Sequence, residues 1–566
     1  MFKQPLSSKA REPCVLHDGA CSSQTGAEAE HWHRTNAVIG RRNPWLLLLA
    51  SALMAVVQIV VASRSGLWPD EVFSLAIATG HSLEQPAAKA DPNLGDFVER
   101  DHAVRVEEFQ RYLKHDNPPA NPARIVRAVF LSDTNPPLYY LLLYAWTLVV
   151  GTSDIALRSF SIACSLACLP FLVAIARRTG GRGAVLPACV LFAFSPLAIF
   201  YSTEGRMYSL LWLCVLATAW ASLVLQQRGG GMAIYAFWIL ASAAGFFTHY
   251  FFVFPWLAIV IYLLIRSERF ARLSLAACLL LTASLILPWY IRLHESLGNW
   301  RITKDWLKWQ PIGFDRRVAS RELVLPFFSG RSQFPLWDPT SNIAVASVIL
   351  FGIIAAAMVW RLRFRLFKRG RLLLWLLFAA TCSGPLTFDF VQHTYTTAFP
   401  RYASAALPAA YLLAAMGLAS MGLRTKMVML SLIVLAWIPN VLTLYSASSR
   451  YRRPIREISR AASADSNPSD LILIHSIPSG VLGIARYASG AAPLASWVGQ
   501  LGTRGVPQSI RKLATGHERV LFVTVHEVGE PAPEEQWLRG NALVFKETLV
   551  GSGRVVDFRP MGAETF

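Results

Sequence analysis

Long apolar runs recur along this chain, separated by short loops rich in arginine. A helix of roughly 20 apolar residues covers the hydrocarbon core of a bilayer. A backbone inside that core must satisfy its own hydrogen bonds, so such runs are helices. The pattern therefore predicts an α-helical polytopic membrane protein. Composition agrees: of 566 residues, 54% are hydrophobic and only 16% charged, against about 25% charged in soluble domains. The net charge of +19 would suit a nucleic-acid binder. The basic residues, however, collect in loops between apolar runs, as the positive-inside rule expects. That placement argues against nucleic acid as a partner.

Loop charge also sets the topology. The first run, 44–62, follows Arg34, Arg41 and Arg42, which hold the N-terminus inside. Residues 1–43 are polar and read as a disordered cytoplasmic tail, with no evident cleavable signal peptide. A first outer loop, 65–135, comes next. The apolar run at 138–150 is short for a span, so 136–150 reads as a juxtamembrane or re-entrant helix on the outer side. With that choice Arg177, Arg178, Arg182, Arg228, Arg266, Arg269, Arg272, the basic stretch 361–371, Arg424 and Lys426 all fall inside. About eleven transmembrane helices result over 44–446, with a later outer loop at 293–340. Residues 91–127 mix charges with Phe109, Tyr112 and Leu113, as an amphipathic helix lying on the membrane would. Residues 450–566 read as a small soluble α/β domain outside the membrane, with strands at 471–474 and 520–525 and a packing or acceptor-docking role. Six of the eight cysteines lie in or beside apolar runs. Cys14 and Cys21 lie in the tail near His17, His31 and His33, at a spacing that fits no zinc pattern. No disulfide framework is implied.

This topology gathers polar residues from separate loops on the outer face. The most informative is the acid pair Asp70-Glu71, in Ser65-Gly66-Leu67-Trp68-Pro69-Asp70-Glu71 directly after the first span. Ionisable groups at a membrane edge are costly to desolvate and mark function by default. The pair can act as a general base, a divalent-metal site, or both. Glu204, Arg206, Tyr208, His249, Tyr250, Arg401 and Tyr402 join it. A carboxylate accepts a proton from an attacking acceptor, arginine holds a leaving phosphate, and aromatic faces suit sugar rings. Lys304, with Asp305, Trp306 and Trp309, would cover the substrate from the later outer loop.

Structural readings of the same residues stand beside these. An Asp after Pro caps a helix, and a Glu in the first turn suits the helix dipole. Glu204 and Arg206 can be a surface ion pair. Arg401 beside Tyr402 can be an interfacial arginine.

The ordered motifs resemble the GT-C glycosyltransferases, including the bacterial aminoarabinose-transferase-like enzymes and the protein O-mannosyltransferases. The matching segments are Trp68-Pro69-Asp70-Glu71, Asn135-Pro136-Pro137-Leu138-Tyr139-Tyr140, Ser153-Asp154-Ile155-Ala156-Leu157-Arg158, Tyr201-Ser202-Thr203-Glu204-Gly205-Arg206-Met207-Tyr208, His249-Tyr250-Phe251 and Arg401-Tyr402. Asn135 stands where many relatives have His, and Thr203 and Gly205 replace the commoner Gln and Ala.

The resemblance implies a hexosyl- or pentosyltransferase. It would move a sugar from a polyprenyl-phosphate donor to an envelope lipid, glycan or protein, at the outer face of the bacterial cytoplasmic membrane. Asp70 would be the general base. Membrane lipid is a further partner, and a divalent metal at Asp70 and Glu71 is the one cofactor to consider. The competing readings are a transporter or flippase for lipid-linked sugar and a noncatalytic partner in envelope polysaccharide assembly. A transporter needs charged or broken-helix sites near the midplane. Here the ionisable groups collect at one face.

Overall fold

The computed structural model describes residues 44–566 apart from 134, 229–230, 267–268, 300–305, 312–313, 331–341, 369, 447–453, 526–530 and 563–564. The expected tail 1–43, with its Cys and His residues, lies outside the described residues, and so does Lys304. The chain divides into two units, 1–48 and 49–566. The described part of the first is the opening of the helix Pro44–Arg64.

Among the described residues, seven helices are long and apolar enough to cross a membrane: Asp154–Thr179, Tyr208–Gln226, Arg272–Ser296, Asn342–Leu362, Arg371–Gln392, Pro400–Ala419 and Leu423–Tyr445. Two bent pairs bring the number to as many as nine. Leu48–Arg64 turns through 100° into Pro69–Ala78, and Arg182–Phe194 through 60° into Pro196–Ser202. Each bend coincides with a proline at the start of the second helix, where the missing N–H costs nothing. Leu138–Val150, Met232–Thr248 and Tyr250–Arg266 are shorter apolar helices. The chain is thus a multi-pass helical membrane protein, and among the described residues seven to nine spans qualify by length and composition, against the eleven expected from loop charge.

Side-chain placement is that of a protein solvated by lipid. Leu273, Leu280, Leu281, Leu285 and Leu287 stand exposed along Arg269–Tyr290. The six described cysteines, Cys164, Cys168, Cys189, Cys214, Cys278 and Cys382, are buried free thiols.

The basic loops meet at one end of the helices. Arg266 donates to the carbonyl of Phe367 at 2.7 Å, Arg371 to that of Thr179 at 2.9 Å, and Arg361 to that of Ser420 at 3.0 Å. Helices that run away from these loops carry Glu204, His249 and the segment before Arg401 at their far ends.

After the last span the chain builds a five-stranded sheet: β1 Asp470–His475, β2 Leu494–Trp497, β3 Arg519–Thr524, β4 Ala542–Val550 and β5 Gly553–Pro560. The strand order is β2-β1-β3-β5-β4. β1 is parallel to both β2 and β3, while β5 runs antiparallel between β3 and β4. The apolar runs at 471–474 and 520–525 are the central strands. Leu471, Leu473, Val520 and Phe522 bury against Ile510, Leu513 and Leu538 on one face.

One local expectation fails. Residues 91–127 form no single membrane-lying helix. They break into short turns, the helix Val106–Gln110 and the start of the helix Pro122–Ser132, and Val106–Gln110 packs on Pro478–Tyr487 of the C-terminal domain. Gln110 Nε2 donates to the Ala485 carbonyl at 3.0 Å. The aromatic faces seek protein: Phe109, Tyr112 and Leu113 are buried.

Candidate active site

The first bent pair places the acidic residues. Pro69 opens the helix Pro69–Ala78, with Asp70 and Glu71 in its first turn, where the exposed N–H groups favour negative charge. Glu71 Oε2 accepts from Trp68 N–H at 3.2 Å. Arg158, within the apolar helix Asp154–Thr179, braces the corner from below. Its Nε donates to Glu71 Oε1 at 2.7 Å and its Nη2 to Glu71 Oε2 at 2.5 Å. Its remaining N–H groups reach the carbonyls of Ala62, Ser65 and Gly66 at 2.7, 2.7 and 2.8 Å. Gly205 N–H adds a bond to Glu71 Oε1 at 2.8 Å. Both side chains are 0% exposed. A buried ion pair holds only if its hydrogen bonds are completed, and all five arginine donors are used here.

Asp70 turns to different partners. Its Oδ2 lies 3.2 Å from Arg401 Nη1, and its side chain is 34% exposed. Arg401 sits 5.1 Å from the Phe399 ring centroid and 5.3 Å from that of Tyr402. Asp389 anchors the segment leading to it: its carboxylate accepts from the hydroxyls of Thr394, Thr396 and Thr397 at 2.6, 2.6 and 2.7 Å. It also accepts from the backbone N–H groups of Thr396 and Thr397 at 2.7 and 2.8 Å. From Tyr402 the aromatic wall continues through His249, Tyr208 and Tyr201, with centroids 6.5, 6.5 and 4.8 Å apart in turn.

Arg206 lies on the other flank of Asp70. Its Nη1 donates to Ser74 Oγ at 3.0 Å, Tyr140 Oη at 3.2 Å and the Asp70 carbonyl at 3.4 Å. Its carboxylate partner is Asp133, at 3.7 Å, and the Tyr140 hydroxyl donates to Asp133 as well. The expected Glu204–Arg206 pair is therefore replaced by Arg206–Asp133. Glu204 is buried, and its Oε2 has no hydrogen-bond partner among the described residues. Burial, reinforced by the negative charges of Glu71 and Asp70, pushes its carboxyl up to about 8. His249 Nδ1 accepts from Phe251 N–H at 3.0 Å. Burial, with the Arg206 and Arg401 charges, lowers this imidazole to about 3, so it is neutral at pH 7.

The structure thus draws together Asp70, Arg401, Tyr402, Arg206, Tyr208, His249 and Glu204. Tyr250 stands apart: its hydroxyl accepts from Trp289 Nε1 at 3.1 Å and its ring packs on Tyr290. The two carboxylates expected to share a metal do not converge. Both Glu71 oxygens are committed to Arg158 and backbone N–H groups. Among the described residues no three His, Cys, Asp or Glu side chains gather as a metal site. The donor set does not fit an ion held by Asp70 and Glu71.

Sequence reasoning missed Arg158, Asp133, Ser74 and Asp389 as site residues. Arg158 did carry a signal, being a charge inside an apolar run.

Residues 134–291 match the family model of dolichyl-phosphate-mannose-protein mannosyltransferase. No curated protein matches the chain. Two solved structures superpose over most of it. ArnT from Cupriavidus metallidurans in the apo state aligns with a TM-score of 0.55 and 12% identity, over 92% of this chain and 98% of that one. ArnT from the same organism bound to undecaprenyl phosphate gives 0.56 and 14%, over the same shares. The bent first span, the multi-pass helical core and the small C-terminal sheet belong together as one architecture, and the chain has the fold of these ArnT structures.

Proposed function

We propose that this protein transfers a sugar from a polyprenyl-phosphate donor to an envelope acceptor at the outer face of the bacterial cytoplasmic membrane. The observation that carries the reading is the Asp70–Arg401 contact, 3.2 Å long and partly open to solvent, at the end of the helices away from the basic loops. Undecaprenyl phosphate, bound by the ArnT structure of like fold, is the donor lipid this reading assumes. Eleven spans complete the topology, with Met232–Thr248 and Tyr250–Arg266 crossing as well as the seven long helices and the two bent pairs. The domain on residues 450–566 then lies outside.

The chemistry follows from the two side chains. An acceptor O–H or N–H delivers its proton to the Asp70 carboxylate as the acceptor atom bonds to the anomeric carbon. The bond from that carbon to the phosphate oxygen breaks, with inversion, and the departing lipid phosphate gains negative charge. Arg401 stabilises that charge by charge-assisted hydrogen bonds. A donor phosphate at Arg401 also competes with Asp70 for the guanidinium, which frees a carboxylate oxygen to accept the acceptor's proton. Arg206, tied to Asp133, adds a second positive charge beside Asp70. Glu71 acts as the anchor of the corner, and Tyr208, His249 and Tyr402 form the wall against which a sugar stacks.

The test compares envelope glycolipids, glycans and glycoproteins by mass spectrometry in cells with and without the gene. The product so identified is then sought with Asp70→Asn. Loss of the base lowers transfer by about 10²–10⁴ while the protein still accumulates in the membrane; wild-type transfer by Asp70→Asn overturns the assignment.

A further inference from the structure

The C-terminal domain reaches the acid-bearing corner through three side chains that converge on Asp154. Arg486 Nε donates to Asp154 Oδ1 at 2.8 Å, Arg456 Nη2 to Oδ2 at 3.1 Å, and the Tyr487 hydroxyl to Oδ2 at 2.6 Å. Asp154 opens the helix on which, one turn later, Arg158 holds Glu71. Tyr487 also reaches the corner directly: its oxygen accepts from Leu67 N–H at 2.7 Å, three residues before Asp70. The helix Pro478–Tyr487 packs on Pro69–Ala78 itself. Gly483 lies at that crossing, where a Cβ would meet Ile455 at 2.9 Å and Val72 at 3.5 Å. Arg456 and Tyr487 likewise close over Gly66, whose added Cβ would sit 2.7 and 3.3 Å from them.

We infer that the C-terminal domain is a positioning element for catalysis: Tyr487, through Leu67 and the Asp154–Arg486 node, holds the 64–71 corner so that Asp70 faces Arg401. This rests on the reading of Asp70 as base. The physical need is plain. Residues 65–68 lie between two helices bent by 100°, and a corner of this kind has few hydrogen bonds of its own. The Leu67 N–H would have no helical carbonyl to bond. A shift of about 1 Å in a catalytic group can cost on the order of 10²-fold in rate. Arg158 fixes the corner from the membrane side, and Tyr487 fixes it from the domain side.

The experiment uses the full-length chain in lipid nanodiscs. Tyr487→Phe removes one oxygen and both of its hydrogen bonds. Expected are a fall of roughly tenfold or more in product formed per folded molecule, unchanged affinity for undecaprenyl phosphate, and faster deuterium uptake across 64–72. A merely structural role would lower thermal stability yet leave turnover per folded molecule intact, and that result overturns the inference. So does unchanged uptake at 64–72. Arg486→Gln is the second variant should Tyr487→Phe not accumulate, with the same readouts. Asp70→Asn in parallel separates the two claims: full transfer there overturns the base itself, whereas an inactive Asp70→Asn beside a fully active Tyr487→Phe overturns the positioning role alone.

Discussion

Arg158 and Glu71 form a closed, fully buried ion pair 87 residues apart in sequence, with guanidinium and carboxylate joined by two bonds of 2.7 and 2.5 Å. The same guanidinium takes the three carbonyls of the corner above it. Removing one partner leaves an uncompensated buried charge, which costs about 3–5 kcal/mol. Glu71→Gln and Arg158→Met should each lower the melting temperature of the detergent-solubilised protein sharply, and the double variant should recover part of the loss. Single variants as stable as the wild type would show that the pair does not hold the corner.

How far the sequence disclosed this site depends on how local each relationship is. Loop charge placed the basic ends of the helices on one side, and the contacts of Arg266, Arg371 and Arg361 gather those loops together. The acid pair was visible as well, but not its division of labour. Successive residues on a helix point about 100° apart, so Asp70 looks to Arg401 while Glu71 looks to Arg158. His249 and Tyr250 part for another reason: His249 has extended backbone after Met232–Thr248, and Tyr250 opens the next helical turn. Glu204 and Arg206 sit in a bend between two helices, and Arg206 takes Asp133 from a distant segment rather than Glu204. The helix expected on the membrane at 91–127 failed for a related reason. Amphipathicity shows that one face is buried, not what buries it, and here the C-terminal domain does.

Arg401 gives a prediction on binding. A hydrogen bond to a charged group contributes about 1.5–3 kcal/mol, and each 1.4 kcal/mol is about tenfold in affinity. Arg401→Ala should weaken undecaprenyl-phosphate binding by roughly tenfold or more, read by titration in nanodiscs. Arg401→Lys keeps the charge but loses the planar fork, and should fall between the two. Equal affinity in all three proteins would remove Arg401 from the phosphate site.

Glu204 gives a prediction on pH. Its carboxyl is raised from 4.5 to about 8, by burial first and then by its acidic neighbours. The folded state therefore keeps this proton where the unfolded chain has lost it. The stability linked to Glu204 is fully present below the unfolded value of 4.5 and declines as pH rises, until the folded group has titrated near 8. Glu204→Gln cannot lose that proton. Its melting temperature should match the wild type near pH 5 and exceed it near pH 8.5, and parallel curves across that window would refute the buried, protonated acid.

Asp389 gives the last. It is buried, yet it accepts three hydroxyl and two backbone hydrogen bonds from Thr394, Thr396 and Thr397. Those threonines lead directly into Phe399-Pro400-Arg401, so the carboxylate sets where the guanidinium stands against Asp70. With Asp389→Ala the donors lose their acceptor, and the segment loses five of the hydrogen bonds that tie its turns to the end of Arg371–Gln392. Transfer should drop by an order of magnitude or more if Arg401 moves by about 1 Å. Deuterium uptake should rise across 393–402 and stay unchanged in β1–β5. Asp389→Asn keeps one acceptor oxygen and should be milder in both readouts. If Asp389→Ala loses structure across the whole membrane core instead, the residue supports the fold at large and not the placement of Arg401.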